Sequence, residues 1–103
     1  MKLLTDELRA RLPRLYSQEA EPEPMIYAKF FLPGTNWTWY VMEGSAQDND
    51  FLFFGWVVGL ESEFGYFLLS ELEEVRAGGI FPVERDLHFR EGRLTDVVPA
   101  PDT

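Results

Sequence analysis

Leu4, Leu8, Leu12 and Leu15 repeat at the spacing of a helical stripe, whereas from Met25 onward the apolar residues come in short dense runs separated by Gly, Pro, Asn and Asp. The first pattern predicts a helix that opens after Thr5. The Thr5 hydroxyl can accept a first-turn N–H, and Asp6 and Glu7 sit where the helix dipole favours negative charge. Pro13 cannot continue a helix without losing a bond and clashing one turn back, so the helix should stop near Leu12 and give way to a short turn. The leucine stripe should pack on a sheet. Residues 17–24, "SQEAEPEP", read as an exposed, Pro-broken acidic connector.

The second pattern predicts strands. "MIYAKFFL" and "WTWYVME", joined by "PGTN", form a hairpin, and "EGSAQDND" follows as a polar loop. "FLFFGWVVG" and "FGYFLLS" are the third and fourth strands, joined by a tight turn from Leu60 to Glu63. Each carries a Phe-Gly-aromatic unit, Phe54-Gly55-Trp56 and Phe64-Gly65-Tyr66, which predicts neighbouring strands with rings lying over the glycines. Ser70 and Glu73 have capping-box spacing for a short helix that Gly78 and Gly79 would end. "FPVERDLHF" reads as a last strand, "REGR" as a turn, Thr95 as the cap of a closing helical turn, and residues 99–103 as a frayed tail. Together these elements predict an α+β fold over a single domain, 1–103: one antiparallel sheet of about four to five strands, an N-terminal helix and a short helix after strand four.

Alternation places Trp37, Trp39 and Val41 on one face of the second strand and Thr38, Tyr40 and Met42 on the other, so both faces are apolar. The N-terminal helix can cover only one of them. Some of the rings should therefore remain available to a partner. The candidates are Trp37, Trp39, Tyr40 and Trp56, with Glu43, Asp48 and Asp50 expected to border the Trp37/Trp39 pair.

Charge sharpens that expectation. The chain of 103 residues is 46% hydrophobic and 26% charged, as a folded domain should be, yet its net charge is −9. Lys2, Arg9, Arg11 and Arg14 outnumber Asp6 and Glu7 near the N-terminus, which concentrates the acid excess in the remainder. Such a body repels phosphate backbones, and direct nucleic-acid binding is not expected. A basic or DNA-binding protein partner fits better, although an acidic face can also serve solubility alone. Whether the chain is a monomer or a homodimer stays open at this point. The absence of cysteine excludes disulfides, thiolate metal sites and a cysteine nucleophile. "MKLLTDELRARL" has no apolar signal core and no run is long enough for a membrane helix, so a cytoplasmic location is expected.

Phosphate-cradling and hydrolase motifs are missing, and the composition implies no cofactor. Glu84, Asp86 and the single histidine, His88, alternate along "ERDLH" and would share one strand face, where they could hold a divalent cation or share a proton. The other reading is a solvent-facing strand edge with Arg85, Leu87 and Phe89 turned inward. Strands two to four contain no basic residue, Lys29 lying on strand one, so their rings are poorly suited to stacking on bases. The residues thus point to an interaction protein, with a metal-dependent nucleic-acid-processing enzyme as the alternative.

"MKLLTDELRARLPRLYSQE", "KFFLPGTNWTWYVMEG", "DFLFFGWVVG", "FGYFLLSELEEV" and "VERDLHF" together resemble the uncharacterised bacterial family known as domain of unknown function 2958. The resemblance covers nearly the whole chain. It implies a small protein of plasmids and other mobile elements, encoded beside anti-restriction and DNA-transfer functions, and it implies no catalytic residues.

Overall fold

Thr5 and Pro13 bound the first helix. The Thr5 Oγ1 accepts the N–H of Leu8 at 3.1 Å, which starts α1 (Asp6–Arg11). Leu12 is already extended at ψ 128°, as the residue before a proline is driven to be. The computed structural model describes residues 1–99; of the expected frayed tail, 99–103, all but Pro99 lies outside the described residues. The remaining elements are β1 (Met25–Ile26), β2 (Ala28–Phe31), β3 (Thr38–Gln47), β4 (Asp50–Val58), β5 (Ser62–Leu68), α2 (Leu69–Glu74), β6 (Arg76–Ala77), β7 (Phe81–Pro82), β8 (Glu84–Arg85), β9 (Gly92–Arg93) and α3 (Leu94–Val97).

The main sheet is antiparallel, ordered β5-β4-β3-β2-β8, and β1-β9 and β6-β7 form two small ribbons. The chain is thus α+β with a five-stranded sheet, as its patterning predicts. One face is the main core. Leu4, Leu8 and Leu12 from the N-terminal segment, Leu72 of α2 and Val83 pack there against Phe30, Trp39, Val41, Phe53 and Phe67. Phe53 is fully buried at its centre, with Phe51, Phe67 and Phe30 ring centroids at 5.0, 5.4 and 5.6 Å.

The second face has its own cluster. Ile26, Tyr40 and Met42 are covered by Phe89, Leu94, Val97 and Val98, because β9 pairs with β1 and delivers α3 onto that side. This cover reaches only the β2–β3 half. At the β4–β5 half, Phe64 and Tyr66 stay 46% and 52% exposed.

Several local expectations are corrected by long-range pairing. "EGSAQDND" is not a loop: β3 runs to Gln47, which pairs with Asp50, and only Asp48 and Asn49 turn, Asp48 at φ +53°. The connector is only partly exposed, since Gln18 is half-buried and Pro24 buried. Ser70 makes no capping box with Glu73; its hydroxyl and N–H donate to the Asp50 carboxylate, and Glu71 accepts the Leu68 N–H instead. Gly78 and Gly79, at φ +60° and +74°, turn β6 into β7 beyond a helix that has ended at Glu74. Thr95 donates to Glu23 and Arg93 holds the N-cap position of α3.

Gly55 and Gly65 do pair directly across β4 and β5, but no ring explains Gly55. A Cβ there would stand 1.9 Å from the Tyr40 carbonyl oxygen, so the requirement is close approach of β3 backbone. The rings that do lie over glycines are Trp37, above Gly59, and Phe51, above Gly44.

Candidate functional site

A β-bulge builds the site. Val41 pairs with Gly55 and Glu43 with Phe54, leaving Met42 as the extra residue of β3. Strict alternation would send Glu43 into the main core beside Val41. The bulge instead carries it onto the second face with Met42 and Phe54. There Glu43 is only 2% exposed, and its two carboxylate oxygens accept the N–H groups of Tyr16 and Gln18, each at 2.8 Å.

Gln18 secures the same junction. β1 and β2 are separated at Tyr27, whose N–H turns to the Val41 carbonyl at 2.8 Å. The Gln18 side chain fills the interrupted ladder: its Nε2 donates to the Met25 and Met42 carbonyls at 3.0 Å, and its Oε1 accepts the Met25 N–H at 2.7 Å. The acidic connector is thereby sewn to the sheet by one carboxylate and one amide. Tyr16 is held at φ +73°, a left-handed conformation that a non-glycine residue adopts only when its surroundings impose it.

The result is a cleft of about 330 Å³ between the connector and the open half of the second face. Tyr16, Phe54, Phe64 and Tyr66 form its aromatic walls, and Glu19, Glu21 and Glu43 supply carboxylates. The Tyr16 and Tyr66 centroids are 6.4 Å apart with ring planes at 59°, and Phe54 lies 4.7 Å from Tyr66 and 5.9 Å from Phe64. A hydrogen bond with the Tyr16 hydroxyl pushes the Tyr66 phenol above its ordinary pKa, helped by desolvation and by the charges of Glu43 and Glu19.

The residues singled out in the sequence do not gather into one patch. Trp37 is 36% exposed and stacks on Trp39 at 6.0 Å, but Trp39 itself is buried in the main core. Tyr40 is buried on the second face; desolvation first and the Asp86 charge second raise its phenol pKa. Trp56 is half-buried, 4.8 Å from Phe64, and so belongs to the rim of the open half. Glu43 is buried, not a loop residue. Asp48 and Asp50 sit at the far end of the β3–β4 hairpin from Trp37, roughly 30 Å away by strand rise, and do not border it.

Glu84, Asp86 and His88 do not share a strand face, because β8 ends at Arg85. Asp86 turns back to accept the His88 N–H at 2.9 Å and to pair with Lys29 at 3.7 Å. Among the described residues no group of three His, Cys, Asp or Glu could hold a metal ion. Tyr16, Gln18, Phe64 and Tyr66 were not singled out from the sequence. Phe64 and Tyr66 had a signal in the Phe-Gly-aromatic unit, whereas Tyr16 and Gln18 had none, since their role comes from contacts 25 and 27 residues away.

Among the described residues no helix is long and apolar enough to cross a membrane. No curated protein and no solved structure matches the chain. A family model described as "Protein of unknown function (DUF2958)" matches residues 3–98, a span that takes in both sheet faces and the connector between them, and the chain belongs to that family.

Proposed function

We propose that the chain is an accessory interaction protein that engages a basic segment of a partner protein on the open half of its second sheet face. One observation carries this reading: the rings of Phe64 and Tyr66 stand half-exposed beside a cleft that three carboxylates line and, among the described residues, no Lys, Arg or His does. Contiguous aromatic surface supplies affinity, and the uncompensated charge selects and steers the partner. A net charge of −9 opposes nucleic acid itself and favours a protein whose basic surface would otherwise meet phosphates. In the mobile-element setting that the family resemblance implies, a DNA-handling protein is such a partner. No specific observation favours the metal-dependent alternative: among the described residues no group of three His, Cys, Asp or Glu could hold a metal ion.

The test compares the tagged chain with its Phe64→Ala/Tyr66→Ala variant as baits in lysate of the source organism. It is run at about 0.1 M and about 1 M salt, where the screening length falls from ~10 to ~3 Å. A basic protein held by the natural chain, released at high salt and lost with the variant, is the expected result. An identical captured set for both baits would refute the reading.

A further inference from the structure

Resting on that reading, we propose that the cleft lined by Tyr16 and Tyr66 receives a single arginine side chain of the partner, its guanidinium plane against a tyrosine ring and its charge facing Glu43 and Glu19. The size of the cleft sets the first constraint. At about 330 Å³ it lies at the small end of the ~300–1,000 Å³ range of ligand sites and has room for an arginine side chain.

The walls set the second. Tyr16 and Tyr66 meet as two tilted aromatic rings, and Tyr66 packs against Phe54, which lines the same cleft. Aromatic faces attract cations, and a guanidinium, planar and weakly hydrated, stacks on them better than an ammonium does.

Charge sets the third. Both Glu43 oxygens are fixed by backbone N–H groups, which are neutral. The ion pairs among the described residues, Arg11–Glu91 and Lys29–Asp86, leave the cleft carboxylates without a cation.

The experiment is a ¹H–¹⁵N and aromatic NMR titration of the full chain with N-acetyl-arginine methylamide, its neutral citrulline counterpart and the corresponding lysine amide. Saturable shifts centred on Tyr16, Gln18, Phe64 and Tyr66 are expected. Affinity should be at least about tenfold weaker for citrulline, weaker for lysine, and about tenfold weaker in Tyr66→Ala. Tyr16→Gly, which suits the left-handed backbone and removes the ring, should weaken binding similarly while leaving the spectrum elsewhere unchanged. Equal binding of citrulline, or shifts that ignore both variants, would overturn the assignment, and lysine binding as tightly as arginine would overturn the planar cation. If arginine fails while partner capture still depends on Phe64 and Tyr66, the arginine site falls and the broader interaction surface stands. Failure of both removes both.

Discussion

The carboxylate of Glu43 accepts the N–H of Tyr16 at 2.8 Å across 27 residues of chain, and its other oxygen holds Gln18 in the same way. A buried acid is here the tie between the N-terminal segment and β3. Glu43→Ala leaves two N–H groups without an acceptor and should cost about 3–6 kcal/mol, since bonds to a charged group contribute about 1.5–3 kcal/mol each. Glu43→Gln, which keeps one acceptor oxygen, should fall between the two. The urea midpoint at constant m-value measures this. An unchanged midpoint for the alanine variant would mean that the connector is held by other contacts.

The paired glycines of β4 and β5 should behave oppositely. Gly55→Ala forces a methyl onto the Tyr40 carbonyl oxygen, a backbone atom that cannot step aside, and should cost about 3 kcal/mol or more. Gly65→Ala meets only Val57 Cγ2 at 3.9 Å and should lie within about 0.5 kcal/mol of the natural chain. Equal loss of stability in the two variants would contradict the close approach at Gly55.

Asp50 makes stability depend on pH. The Ser70 hydroxyl, followed by the Phe51 and Ser70 N–H groups, holds its carboxyl below the usual carboxylate range. A depressed folded-state pKa contributes stability that is fully present above the unfolded value of about 3.9 and is lost as pH falls through the folded one. The stability gap between the natural chain and Asp50→Ala should therefore be constant from neutral pH to about 5 and shrink below about 4. Ser70→Ala should reduce the gap at neutral pH. A gap that widens on acidification would reverse the assignment.

Indole accessibility distinguishes the stacked pair. In variants retaining one tryptophan each, acrylamide should quench Trp37 most, Trp56 less and Trp39 least, following their burial. Strong quenching of Trp39 in a monomer confirmed by sedimentation would place it outside the core.

Within a few residues of sequence, the chain announces most of its elements. Thr5 with Asp6 and Glu7 starts α1 and Pro13 limits it, because cap and breaker act on the adjacent turn. Dense β-branched and aromatic runs between turn residues mark β2 to β5, and apolar residues on both faces announce that each needs cover. What covers the second face was not legible, since α3 arrives there only through pairing of β9 with β1.

The candidate site belongs to the tertiary structure for the same reason. Alternation assigns a face only while the ladder is regular, and the bulge at Met42 moves Glu43 to the other side. Ser70 fits a local cap, yet Asp50, twenty residues earlier, takes its hydroxyl. Glu84, Asp86 and His88 would share a face in a strand of full length, but the chain turns after Arg85 and Asp86 is drawn to Lys29. Sequence by itself determined where α1 starts and stops, that the apolar runs of β2 to β5 are strands, and that the sheet would have two apolar faces. Contacts between residues 20 to 30 positions apart, whose free energy no local pattern encodes, decided which carboxylate is buried, which rings stay open and where they meet.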